Sequence, residues 1–105
     1  MKPTLPRPPR ELSPAAKRLW KTLYDASVMD PQAILLLDLM MQRWDRLQEA
    51  RAILKREGLQ LQEMTAAGCK KFRPHPMLQV ERDALASVVR CFRALGYDEL
   101  PEGIR

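Results

Sequence analysis

The chain has 105 residues and a formal net charge of +5, from 18 Lys and Arg against 13 Asp and Glu. This length allows one domain at most, with a small core that supplies only about 3 to 5 kcal/mol. The 46% of hydrophobic residues exclude a disordered chain, while 30% charged residues and the lack of a long apolar run exclude a membrane span. We expect no membrane partner.

Glycine, histidine and cysteine usage excludes several kinds of site. The four glycines cannot form a phosphate-binding loop of the GxxxxGK[ST] or GxGxxG type. His75 is the only histidine and the two cysteines are far apart, so the usual zinc ligand sets cannot be formed and no serine has an adjacent base. We expect no metal, no cofactor and no catalytic residue, and therefore a binding or assembly protein rather than an enzyme. Free cysteines and the lack of a signal peptide predict a cytoplasmic location.

Residues 1–12, MKPTLPRPPREL, combine four prolines with an excess of basic side chains. This composition is typical of an extended, polyproline-like segment without internal hydrogen bonds. We predict a flexible basic arm over residues 1–12, followed by one core and oligomerisation domain over residues 13–96.

Two helix starts of the same kind follow the arm. Ser13–Pro14 and Asp30–Pro31 each place a capping side chain before a proline at the first helical position. The spacing of apolar residues predicts a first helix over about 14–28 and a second, long helix over 31–57, which Gly58 ends. Because the connection is so short, we expect the two helices to form an antiparallel hairpin.

The segment after Gly58 changes its period. Leu59 and Leu61 alternate with glutamines, which predicts a small β-hairpin over 59–73. Prolines 74 and 76 end the strands, and a last helix is predicted over 76–95, closed by Gly96. Residues 97–105 form a short acidic tail. The predicted fold is therefore mainly α, with a long central helix, a small β-hairpin and a C-terminal helix.

The N-terminal half of the long helix is apolar around nearly its whole circumference. Such a helix must be covered on all sides, which one short neighbouring helix cannot do. Oligomerisation would cover it, and the alternative is a core within one chain. The predicted oligomer interface comprises Ile34, Leu35, Leu36, Leu39, Met40, Met41, Val80 and Ala84.

Basic residues concentrate in two places. Phosphate contacts need clustered cations that displace counterions, so these clusters are the candidate DNA-binding residues. The alternative is a solvated surface, or, for the hairpin, lysines that protect a strand edge. The first cluster is Lys2, Arg7, Arg10, Lys17, Arg18 and Lys21, and the second is Lys70, Lys71 and Arg73.

The order of these features resembles the small terminase subunit family of tailed bacteriophages, with its prophage and gene-transfer-agent members. The matching segments are RPPRELSPAAKRLW at 7–20, DPQAILLLDLMMQRWDRLQEA at 30–50, HP at 75–76 and VERDALASVVRCFRALGYD at 80–98. The resemblance implies a helical hairpin, a small strand hairpin and a further helix, assembled as a homo-oligomeric ring.

In function, the resemblance implies a non-catalytic subunit in the cytoplasm of a bacterial host. It would recognise viral double-stranded DNA and regulate the ATPase and nuclease of the large terminase subunit. The chain departs from the family in one respect, because members commonly extend beyond the last helix and no helix-turn-helix is visible here. Tyr97 and Leu100 in the acidic tail are candidates for docking the large subunit, with a frayed terminus as the alternative.

Two other functions fit parts of the pattern. One is a small helical homo-oligomeric protein adaptor without direct DNA binding. The other is a monomeric regulator of transcription, which is weakened by the lack of a recognition helix after a tight glycine turn.

Overall fold

The computed structural model describes residues 6–26 and 29–97. In chain order these form α1 (Pro14–Ala26), α2 (Pro31–Glu57), β1 (Gln60–Met64), β2 (Lys70–Pro74) and α3 (Met77–Ala94). The predicted combination of helices with a small antiparallel sheet is confirmed. The predicted end of the first helix at residue 28 lies outside the described residues.

α1 and α2 pack against each other in antiparallel directions. Ser13, just before α1, bonds to Asp45, whereas Trp20 further along α1 bonds to Asp38. Later residues of α1 therefore contact earlier residues of α2. α2 begins at a side-chain cap, where the Asp30 carboxylate accepts a 2.8 Å hydrogen bond from the Ala33 N–H.

α3 runs back along α2 from the far end. Its start lies beside the end of α2, where His75 Nε2 is 3.5 Å from Glu57 Oε1. Its C-terminal half approaches the middle of α2, since Arg43 is close enough to act on the Cys91 thiol. α2 is thus the central helix, flanked by α1 and α3. The main core cluster contains Leu12, Ala16, Trp20, Leu23, Leu37, Met40, Met41, Trp44, Val88, Cys91 and Phe92.

The β-hairpin extends from the end of α2. Its register pairs Gln60 with Pro74 and Met64 with Lys70, and Leu61 is the one strand residue that is not exposed. Gly68 closes the turn at a φ of 80°, a left-handed conformation that glycine adopts without a steric cost. The hairpin contributes to an elongated shape, with principal extents of 71 × 29 × 20 Å.

Candidate nucleic-acid interface

The basic arm reaches the folded unit beside the middle of α2. Arg7 and Arg10 are exposed, whereas Leu12 is buried in the core and its N–H bonds to the Pro9 carbonyl. The Ser13 N–H and hydroxyl then donate to the two carboxylate oxygens of Asp45, at 2.8 and 2.6 Å. The last residues of the predicted arm are therefore attached to α2. Lys2 lies outside the described residues.

The cations of α1 lie on the side of the helix away from the core. Arg18 and Lys21 are exposed and Lys17 is half-buried, whereas Ala16 and Trp20 face inward. This arrangement follows from the helical period, which separates these two sets of side chains around the axis. α1 can therefore present a short basic surface to a ligand.

The basic residues of the hairpin do not form one cluster. Side chains alternate between the faces of a strand, so Lys70 lies on one face and Lys71 and Arg73 lie on the other. Arg73 Nε also pairs with Glu63 Oε1 at 2.9 Å. Lys70 and Lys71 are thus the exposed hairpin cations that remain available to a ligand, and they lie on opposite faces of the sheet.

The two predicted basic clusters are separated along α2. Ser13 contacts Asp45, and α2 continues for twelve residues to Glu57 before the hairpin starts. At 1.5 Å per residue this is about 18 Å. A single DNA contact would have to span this length of the molecule to touch both clusters.

A third basic site was missed by sequence analysis. Arg43 and Arg46 on α2 line a groove of about 280 Å³ against α3, together with Asp83 and Ser87. Both arginines are exposed, and neither takes part in an ion pair among the residues described. Their spacing of three, which places two side chains on one helix face, was the available signal. Carboxylates lie between and beside the two arginines in the sequence, and they make this spacing look like an ordinary mixed-charge helix surface.

His75 organises the junction of α2, the hairpin and α3. It is 6% exposed, and its Nδ1 accepts a 3.0 Å hydrogen bond from the Met77 N–H at the start of α3. In the neutral ring the proton is therefore on Nε2, which faces Glu57. The hydrogen bond to His75 lowers the pKa of Glu57, helped by Arg56 and opposed by partial burial. His75 therefore has a structural role at this junction.

Cys91 lies on the inner side of α3. Burial raises the pKa of its thiol, while the nearby guanidinium groups of Arg43 and Arg90 act in the opposite direction. A raised pKa keeps the sulfur protonated near neutral pH, and a thiol is a poor nucleophile. Cys91 therefore serves as a small core residue.

The predicted oligomer interface divides into covered and exposed residues. Met40, Met41 and Ala84 are buried inside the chain's own core, so we do not retain them as interface residues. Leu35 is 68% exposed and Leu39 is 41% exposed. Ile34, Leu36 and Val80 are half-buried. α1 and α3 together cover much of α2, which requires less cover from other copies than the sequence predicts.

Within residues 6–26 and 29–97, no group of three or more His, Cys, Asp or Glu side chains could hold a metal ion. Within the same residues, no helix has the length and apolar character needed to cross a membrane.

Comparison with known proteins supports one family. The family model for the small subunit of phage terminase matches residues 16–98, which is most of the chain. No match was found among curated proteins or among solved structures. Since the matched region includes most of α1 and the whole of α2, the hairpin and α3, the chain belongs to the family of phage terminase small subunits.

Proposed function

We propose that this chain recognises viral DNA at the start of genome packaging, presents it to the large terminase subunit and regulates that subunit's ATPase and nuclease. The small subunit itself is non-catalytic and acts as a homo-oligomeric ring in the cytoplasm of the bacterial host. Family membership supports the role in DNA packaging. The observation that carries DNA contact is a set of exposed cations on α1, on the hairpin and in the groove between α2 and α3, which form no ion pair within residues 6–26 and 29–97.

The charge distribution fits a ligand with a repeated negative charge. DNA binding gains free energy when Lys and Arg side chains displace counterions from phosphates, and a cation already paired with a carboxylate contributes less. Arg18 and Lys21 on α1 are exposed, as are Lys70 and Lys71 on the hairpin. In a ring these positions repeat around the assembly, so a modest charge per chain becomes a strong field.

Fluorescence anisotropy with duplex DNA at several salt concentrations tests this proposal. The variant carries glutamine in place of all five of Arg7, Arg10, Lys17, Arg18 and Lys21. We expect weaker binding. The log–log salt slope, which relates the logarithm of the binding constant to the logarithm of the salt concentration, should be shallower by about 0.9 for each phosphate that the variant no longer neutralises. The control is the double variant Arg56→Gln, Arg73→Gln, because both arginines are already paired with glutamates. An unchanged affinity in the five-residue variant would exclude the arm and α1 as the DNA contact.

A protein adaptor without DNA contact is the second candidate. It is favoured by large exposed apolar side chains, among them Leu59, Met64 and Phe72. The proposed docking residue Tyr97 is half-buried, with its ring stacked on Phe92 at 4.5 Å, while Leu100 lies outside the described residues. Stimulation of the large subunit's ATPase in the absence of DNA, lost in the variant Leu100→Glu, would support this candidate. Salt-sensitive DNA binding by the purified chain would contradict it.

A further inference from the structure

Exposed apolar side chains lie at both ends of the elongated molecule. On the hairpin, Met64 is 66% exposed and Phe72 is 60% exposed. The strand register puts both on the same face of the sheet, together with Lys70. We call these three residues the hairpin patch. At the other end, Leu35 and Leu39 are exposed on the first turns of α2 and form the corner patch.

The hairpin is the part of the fold with the least support from its own chain. An isolated two-stranded sheet is marginally stable in water and needs packing on one face. Here nine of the ten strand residues are exposed. A partner surface that covers Met64 and Phe72 would supply the missing packing.

The two chain segments that carry the patches have opposite net charge. Residues 59–74 carry three cations, Lys70, Lys71 and Arg73, against one carboxylate. Residues 21–42, which surround the corner patch, carry three carboxylates, Asp25, Asp30 and Asp38, against Lys21. Unlike charges attract across an interface, so contact between the hairpin and segment 21–42 is favoured. Contact between two hairpins would bring net like charges together.

The two patches of one chain cannot meet. α2 separates them, and its 27 residues form a rod of about 40 Å. The partner that fits both the apolar side chains and the charge is therefore a second copy. A contact between two different surfaces of identical chains is heterologous, and it repeats from copy to copy until the ring closes.

We propose that the hairpin patch of one copy packs on the corner patch of the next copy. Met64 and Phe72 cover Leu35 and Leu39, and Lys70 faces the carboxylates around the corner. This inference rests on the homo-oligomer of the proposed function and assigns its contact. It also explains why Leu35 and Leu39 stay exposed on a helix half that is otherwise largely covered.

Size exclusion with light scattering on paired variants tests the contact. The hairpin variant is Met64→Thr, Phe72→Thr, and the corner variant is Leu35→Gln, Leu39→Gln. All four positions are exposed and no charge is introduced, so circular dichroism should show the same helix content as the original chain. The original chain is expected to form an oligomer at micromolar concentration, and each variant alone to be monomeric. An equimolar mixture should form a heterodimer and stop there, because only one intact patch of each kind remains.

The other outcomes separate this inference from the proposed function. The control Leu59→Gln changes an exposed apolar residue outside both patches, and it should leave the oligomer intact. An oligomer that persists in both patch variants would overturn the contact between the hairpin patch and the corner patch, but it would not contradict the ring. Variants that are monomeric and remain so when mixed would overturn the heterologous pairing. A monomeric original chain would overturn both the ring and the contact.

Discussion

The indole Nε1 of Trp20 donates a 2.7 Å hydrogen bond to Oδ1 of Asp38, which joins α1 to α2 at the edge of the core. Trp20 is 1% exposed, and the Asp38 carboxylate is the partner that its N–H has in the folded chain. We expect Asp38→Ala to lower the free energy of unfolding by about 1 to 3 kcal/mol, which is the cost of a buried donor without a partner. Urea unfolding at a fixed protein concentration measures it.

Asp38→Asn is the matched control for this hydrogen bond. Its amide oxygen can still accept from the indole, so its loss of stability should be clearly smaller than that of Asp38→Ala. Equal losses in the two variants would show that the carboxylate charge, rather than the accepted hydrogen bond, stabilises the helix pair.

The attachment of the arm gives a second prediction. Asp45 accepts from both the N–H and the hydroxyl of Ser13, and that hydroxyl also accepts from the Ala16 N–H at 3.1 Å. Asp45→Ala removes both bonds to Asp45, so the chain before α1 should detach more easily. We expect tryptic cleavage after Arg10 to become faster, which mass spectrometry of the digest measures. The free energy of unfolding should fall by about 1 to 2 kcal/mol.

Arg18, exposed on α1 beyond the attachment, provides the internal control for this digestion. Cleavage after Arg18 requires α1 to unfold, so its rate should rise less than the rate after Arg10. If both rates rose by the same factor, Asp45 would stabilise the whole fold rather than the attachment of the arm.

Local chemistry explains why the helix starts were predictable. A capping side chain followed by proline constrains the backbone within three or four residues, and the Asp30 cap has the expected bond to the Ala33 N–H. The end of α2 at Gly58 has the same origin, because the glycine adopts a φ of 85° that other residues rarely take. Such features need no knowledge of distant parts of the chain.

The contacts that hold the helices together were not predictable in this way. Asp38 and Asp45 look like ordinary surface carboxylates in the sequence, and their partners lie 18 and 32 positions away. Which sides of α2 are covered depends on where α1 and α3 cross it, so the burial of Met40 and Met41 within the chain's own core could not be predicted from their spacing. The division of the hairpin cations between two faces likewise depends on the strand register.

Glu57 gives a prediction about pH. Its pKa is lowered in the folded chain, chiefly by the hydrogen bond to His75 and then by Arg56. A lowered folded pKa contributes stability above the unfolded pKa, and this contribution is lost as the pH falls through the folded value. Melting temperatures measured from about pH 6 down to about pH 3 should therefore fall more steeply for the original chain than for Glu57→Gln.

An NMR titration of the Glu57 carboxyl carbon checks the cause directly. In the variant His75→Ala the pKa of Glu57 should rise toward its ordinary value, because the largest stabilising hydrogen bond is gone. In Arg56→Gln the rise should be smaller. A larger rise in Arg56→Gln than in His75→Ala would reverse the assignment.

The groove between α2 and α3 gives the last prediction. Arg43 and Arg46 are exposed, lie on one side of α2 and have no carboxylate partner among the described residues. Glutamine at both positions should weaken DNA binding and make the log–log salt slope shallower by about 1 to 2, as expected when one or two phosphates are no longer neutralised. Fluorescence anisotropy over a salt series measures both quantities.

Arg73→Gln is the single-charge control for this groove, because Arg73 is paired with Glu63. It is compared with the single variant Arg43→Gln, because each of the two variants removes one positive charge. If the groove contacts phosphates, Arg43→Gln reduces the slope and Arg73→Gln leaves it nearly unchanged. Equal reductions would mean that the DNA responds only to total charge, and they would remove the groove from the proposed interface.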